Sequence, residues 1–301
     1  MYRSAIDVDR LVALDVHVHI ESGSDGHSSL TPELAEAASA YFRTDGMTPD
    51  VAGVAAYYRA RSMAAVVFTV DARTQLGHDP IPSAEIIDQA ADNADVLIPF
   101  ASVDPRLGAR AIDLLNELVV DHGAQGVKLH PTVQGFDPSA DEHRPLWAAI
   151  AELGIPAIVH TGQTGIGAGT PGGAGLRLRY SNPMLLDDVA ADYPDLQLIF
   201  AHPSVPWQDE AISIATHKAN VFIDLSGWSP KYFPPQLVRA AGSFLQDKVL
   251  FGSDFPMLTP DRWLADFAGL ELKDQVRPKI LRDNAIRLLE IDPPRIHKET
   301  P

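Results

Sequence analysis

Eight short apolar runs rich in Val, Ile, Leu and Phe recur along this chain, beginning near Val12, Met63, Val96, Gly126, Pro156, Leu196, Val221 and Lys248. Each has the length of a β-strand and is bounded by Pro, Gly, Asp or Ser. Amphipathic helical patterns fill the gaps. Ala111 to Val120 places Ile112, Leu115, Leu118 and Val119 on one face, and Pro183 to Tyr193 does so with Met184, Leu185, Val189 and Ala190. Strands that are apolar throughout are covered on both faces, the mark of a parallel sheet, and eight β/α units in about 250 residues have the size of a closed (β/α)8 barrel. The sequence therefore predicts an α/β fold of TIM-barrel type, with an open doubly wound sheet as the alternative. No repeat or linker divides residues 1–301, so a single domain is expected. A last helical stretch, Lys273 to Ile291, is expected to cross the outside of the barrel and to end at Pro293-Pro294.

Two segments break the rhythm. Residues 21–62 form a long insertion after strand one, with helical patterns at Pro32 to Phe42 and Pro49 to Arg61. Residues 161–181 form a loop after strand five that holds seven glycines before Arg177, Arg179 and Tyr180. Both follow a strand, which in a barrel puts them on the C-terminal face where active sites are built, as lids or substrate walls.

Composition narrows the chemistry. There is no cysteine, so a metal would be held by His and carboxylate alone, and no thiolate nucleophile exists. A net charge of −16 spread along the chain disfavours nucleic acid and membrane surfaces as partners, and no apolar run reaches the ~18 residues of a membrane span. Because the start lacks a cationic-then-apolar leader, a cytoplasmic protein is expected.

The histidines carry the functional signal. His17, His19, His130, His160 and His202 all fall at the C-terminal ends of predicted strands. In Leu14-Asp15-Val16-His17-Val18-His19 the period of two turns both imidazoles to one side, the barrel interior, where they can chelate one cation. Strand five adds His160 and strand eight adds Asp254. Three neutral imidazoles and a carboxylate satisfy a borderline divalent ion such as zinc and leave a position for water. Asp254, if buried, needs such a cation or several donors. His202, on strand six, is assigned to general acid–base work or to polarising a carbonyl, with a role as ligand of a second metal as the alternative. On strand four, Lys128 and His130 share a face. Lys128 is expected in the barrel mouth, where it binds a substrate carboxylate or, alternatively, carries a carbamate bridging two metals. Arg177, Arg179 and Lys231 fall on the same face of an acidic protein and suit an anionic small-molecule substrate. Trp207, Trp228, Tyr232 and Phe255 follow strand ends and are candidates to wall an aryl pocket.

Taken together, the HxH after strand one, GVKLHP on strand four, VHTG on strand five, AHPS on strand six and FGSDFP on strand eight resemble the amidohydrolase superfamily, in its amidohydrolase-related branch, which includes aminocarboxymuconate semialdehyde decarboxylase. The resemblance implies a distorted barrel with one divalent ion, zinc or manganese, at His17, His19, His160 and Asp254, and His202 as the catalytic imidazole beside Asp254. The stretches HTGQTGIGAGTPGG, RYSNPMLLDDVA and DLSGWSPKYFPPQLVRA are similar to a subgroup described as 4-hydroxyphenyl-β-ketoacyl-CoA hydrolase. It implies hydrolysis of an aryl β-ketoacyl thioester, with decarboxylation of an aromatic or muconate-type acid, lactone opening or hydration as alternatives, and a metal-binding barrel without catalysis as the least favoured. The glycine-rich insertion departs from the better-known decarboxylases and alters their pocket. A homodimer fits the exposed helices by analogy.

Overall fold

The computed structural model describes residues 1–43 and 49–291. Its eight strands are β1 Ala13–His19, β2 Met63–Phe68, β3 Leu97–Pro99, β4 Val127–Leu129, β5 Ala157–His160, β6 Leu198–Ala201, β7 Val221–Asp224 and β8 Val249–Leu250. Parallel ladders join β1-β2-β3 and β4-β5-β6-β7-β8 in sequence order. Two seams close the ring. Ala101 pairs with Val127, and Val18 pairs with Phe255, where Val16 N–H donates to Phe251 O at 2.9 Å and Asp254 N–H to His17 O at 3.0 Å. The barrel is closed, as the sequence predicts, and an open sheet with two free edges is set aside.

The described helices are α1 Pro32–Phe42, α2 Val51–Arg59, α3 Arg73–Leu76, α4 Ser83–Ala91, α5 Ala109–Glu117, α6 Pro131–Gln134, α7 Arg144–Glu152, α8 Asp187–Asp192, α9 Gln208–His217, α10 Pro235–Ala241, α11 Pro260–Ala268 and α12 Asn284–Leu288. Several start as the sequence dictates. Thr31 and Thr259 cap α1 and α11 by accepting the N–H of Leu34 and Arg262, each with proline at the first helical position, and Asp50 caps α2 through Gly53 N–H. The segment before α8 is a 3-10 turn, Pro183–Leu186, and α5 passes into a π-helical turn at Leu118–His122.

Apolar side chains form two layers. An outer layer lies between strands and helices and includes Ala65, Val67, Trp147, Val159 and Trp263; an inner layer fills the barrel with Leu14, Val16, Val66, Phe100, Ile158, Ile199 and Leu250. The expectation that the last helix crosses the outside is corrected. Lys279–Asp283 and α12 lie against the N-terminal ends of β1 and β8: Asn284 donates to Val249 O, Arg282 to Leu11 O, and Ala285 joins the inner layer. An inner core needs a floor, and this segment supplies it. Pro293-Pro294 lies outside the described residues, as do residues 44–48 of the insertion.

β1 holds the feature that creates the site. Leu14 and Val16 belong to the inner layer, so an uninterrupted period of two would bring Val18 inside and turn the histidines outward. The register against β2 shifts between Asp15 and Val18, and Val18 joins the outer layer. This irregularity reverses the alternation and leaves His17 and His19 at the top of the barrel interior.

Candidate metal centre

Five imidazoles form a continuous row at the C-terminal ends of the strands. Ring centroids are 5.3 Å apart for His19 and His17, 4.8 Å for His17 and His202, 4.6 Å for His202 and His160, and 3.7 Å for His160 and His130, which stack nearly parallel. All except His19 are buried. Strand ends place them: His19 and His160 close β1 and β5, His130 and His202 follow β4 and β6, and Asp254 follows β8. His202 and Asp254 turn into the centre through left-handed backbone, φ 73° and 74°.

The nitrogens Nε2 of His17 and of His19 each lie 3.3 Å from Asp254 Oδ1. Ligands at 2.0–2.1 Å from a tetrahedral zinc would stand about 3.3 Å apart, so this spacing suits donors around one cation. A ring nitrogen of His202 also falls within 4.8 Å of the donor atoms of His17 and Asp254. His160 Nε2 is buried with no hydrogen-bond partner, an orphaned donor or acceptor of the kind a cation satisfies. The residues thus fit a divalent metal: His17, His202 and Asp254 present donor atoms mutually within 4.8 Å, and of the other expected ligands His19 adjoins through Asp254 and His160 through His202.

Electrostatics agree. Burial pushes the His17 imidazole down to about 3, aided by the Lys128 cation, and drives His130, His160 and His202 below the ordinary histidine value. Neutral imidazoles are the ligand form. Burial alone would raise Asp254, but the hydrogen bond from His19 and the surrounding imidazoles hold its carboxyl below the usual range, so it remains a carboxylate.

A cavity of about 340 Å³ opens above the row. His19, His130, His160, His202 and Asp254 form its base. Tyr41 and Phe42 from the end of α1, Gln163 to Ile166 from the glycine-rich loop, and Trp228, Tyr232, Met257 and Leu258 form its walls. The insertion and the loop meet: a side chain on Gly165 would stand 2.4 Å from the Phe42 ring and 2.8 Å from Tyr41. Both contribute residues to the cavity lining.

Several expected contacts lie elsewhere. Lys128 sits in the middle of the three-residue β4, one layer below the strand ends. It is fully buried, donates to His17 Nε2 at 2.9 Å and lies 4.6 Å over the Phe68 ring, so its place in the barrel mouth is corrected to a place beneath the cavity. Arg177 and Arg179 are exposed and outside the cavity lining, because the chain there turns back to dock on α6, where Thr132 bonds Arg177 O and Ser181. Lys231 pairs with Asp266 at 3.9 Å, Phe255 packs in the outer core against Tyr57, and Trp207 does not line the cavity. His130 and Trp228 do line it. Residues that sequence reasoning passed over include Arg262, the cation in the cavity wall, and Glu21, whose carboxyl is raised by burial and whose ring partner His19 lies 3.8 Å away. The alternation His17-x-His19-x-Glu21 was a readable signal. Asp224 and Ser226, both fully buried behind the imidazoles, were also passed over; a carboxylate ending the apolar β7 was the signal for Asp224.

The amidohydrolase family description matches residues 14–291. No curated protein matches the sequence. Among solved structures, an uncharacterised TIM-barrel protein from Bordetella bronchiseptica is 24% identical, with a TM-score of 0.75 over 92% of this chain and 98% of that one. A 2,6-dihydroxybenzoate decarboxylase in complex with 2,6-dihydroxybenzoate is 19% identical, TM-score 0.67, over 94% and 99%. A dihydroxybenzoic acid decarboxylase from a Polaromonas species with manganese and 2-nitroresorcinol bound is 17% identical, TM-score 0.59, over 96% and 97%.

Proposed function

The chain belongs to the amidohydrolase family, and from that premise we propose that it is a metal-dependent hydrolase of an anionic, aromatic carbonyl substrate, with one zinc or manganese ion held by His17, His19, Asp254 and His160. The observation that carries this reading is the convergence of His17 Nε2 and His19 Nε2 on Asp254 Oδ1 at the base of an aromatic-walled cavity. A cation there supplies an electrophile for the carbonyl oxygen and lowers the pKa of water from 15.7 towards ~7.

The chain's own groups do the rest. Asp254, an acceptor at neutral pH, takes a proton from the attacking water, and His202 at the cavity base polarises the carbonyl and returns a proton to the leaving group. With an aryl β-ketoacyl thioester, water adds to the aryl ketone carbon and the C–C bond breaks. The electron pair passes to the thioester enolate, which takes a proton, giving an aryl acid and an acetyl thioester. Trp228, Tyr232 and Phe42 pack on the ring, and Arg262 in the wall faces the anionic end.

Decarboxylation of a hydroxylated aromatic acid is the second reading. It is favoured by the aromatic walls and by the two dihydroxybenzoate decarboxylases that share the fold. Here His202 delivers a proton to the ring carbon before carbon dioxide leaves. The test is turnover by zinc- or manganese-loaded protein on aryl β-ketoacyl thioesters, hydroxybenzoates and aryl lactones. Release of an aryl acid with the thioester left intact, or opening of a lactone, supports the first reading and release of carbon dioxide the second; inactivity on all three classes contradicts both. His202→Ala should retain the metal and lose ~10²–10⁴ in rate, and loss of metal in that variant would make His202 a ligand.

A further inference from the structure

Asp224 and Ser226, at and just beyond the end of β7, touch two of the imidazoles from behind the cavity. Asp224 Oδ2 lies 2.9 Å from His17 Nδ1, and its Oδ1 accepts Ser226 N–H at 2.8 Å. Ser226 Oγ lies 3.0 Å from His17 Nδ1 and 2.9 Å from His202 Nδ1, so one hydroxyl stands between two rings. Both side chains are fully buried, and water does not compete for these bonds.

The two partners differ in what they permit. An ionised carboxylate only accepts, so the His17 nitrogen facing Asp224 carries the proton. Nε2 is then a lone pair, in agreement with the Lys128 ammonium donating to it at 2.9 Å. A hydroxyl both gives and accepts. Ser226 therefore remains bonded to His202 Nδ1 whichever ring nitrogen holds the proton, and the ring need not turn when it gives or takes a proton at Nε2, which lies 2.9 Å from His160 Nδ1.

We propose that Asp224 and Ser226 are positioning residues with separate tasks: Asp224 locks His17 in the single tautomer that ligates a cation, and Ser226 holds His202 in one orientation through both of its tautomers. A carboxylate behind a ligand and a hydroxyl behind an acid–base group is the division this requires. The assignment rests on the functional reading above, in which His17 binds metal and His202 moves protons. The backbone allows no slack, since a side chain on Gly227 would stand 2.6 Å from His202 Nδ1.

The test compares Asp224→Asn, Ser226→Ala and Ser226→Cys, with folding checked by circular dichroism. Zinc affinity is read by chelator competition, histidine ring nitrogens by NMR with and without zinc, and kcat and KM separately. Asp224→Asn should weaken zinc binding ~10–100-fold and give His17 a mixture of tautomers. Ser226→Ala should bind zinc nearly as wild type while its His202 ring signals shift and kcat falls ~10–100-fold with KM unchanged. Ser226→Cys, which keeps a small donor, should lie between Ala and wild type, and it carries the test if Ser226→Ala does not fold. Wild-type zinc affinity in Asp224→Asn, or unmoved His202 signals in the Ser226 variants, would overturn the assignment. If the wild-type protein binds no zinc, the metal reading fails, and the ring signals of the metal-free protein still decide the tautomers.

Discussion

His202 and Asp254 hold their left-handed backbone although neither is glycine, a conformation that costs of order 1–3 kcal/mol and persists only where the surroundings fix it. Here Asp254 N–H donates to His17 O at 3.0 Å and His202 N–H points at Asp224 Oδ1, so the strain aims both side chains at the cavity base. If His17, His19, His160 and Asp254 surround one cation, then His17→Ala, His19→Ala and His160→Ala should each lose bound metal and activity together; metal analysis showing full occupancy in any one of them removes that residue from the set. The buried imidazoles also set an acid limit. Their folded values are lowered, to about 3 for His17, so below the unfolded value of ~6.5 the unfolded chain binds more protons than the folded one. Stability is then lost as pH falls from ~6.5 towards 3, by about 1.4 kcal/mol per pH unit for each such group. Asp15, raised to about 7 by burial, and Glu21, also raised by burial, work the other way, but they are two groups against four. Calorimetry of the metal-free protein should show a melting temperature lower at pH 5 than at pH 7, and a flat profile would mean that these rings are not held neutral. The ligand candidates were legible in the sequence because each ends an apolar run. Arg262 and Ser226 were not, since they reach the site from a helix start and a loop whose approach only the closed ring defines.

At the scale of elements, the eight strands begin within two residues of the apolar runs that announce them, from Ala13 to Val249. Periodicity read them because parallel strands are buried on both faces. It did not read the irregularity in β1, which depends on pairing with β2, nor the position of α12, whose apolar residues fit an outer face and a barrel floor equally. The contact between α1 and the glycine-rich loop is likewise invisible in sequence, since Phe42 and Gly165 are joined only by the fold. That contact roofs the cavity. Gly165→Ala should push the Phe42 ring aside, leave metal content unchanged and raise KM with little change in kcat, because the walls bind ground and transition states alike. A fall in kcat at constant KM would instead place the roof in the chemical step.

For the whole molecule, a closed barrel gathers side chains from β1, β5, β6, β7 and β8 at one end and covers them with two insertions, so binding and chemistry share one chamber. Among the described residues no helix is long and apolar enough to cross a membrane. The net charge of −16 would repel an anionic substrate, and Arg262 supplies the local cation in the chamber wall. The central claim is a single divalent ion at the head of this barrel, with Lys128 beneath the cavity as a free ammonium that carries no carbamate. Anomalous diffraction from crystals of zinc-loaded protein tests it most directly. One zinc peak per chain bounded by His17, His19 and Asp254, with no added density on Lys128 Nζ, is the result expected; two peaks bridged by a carboxylated Lys128, or no peak among these residues, would contradict it.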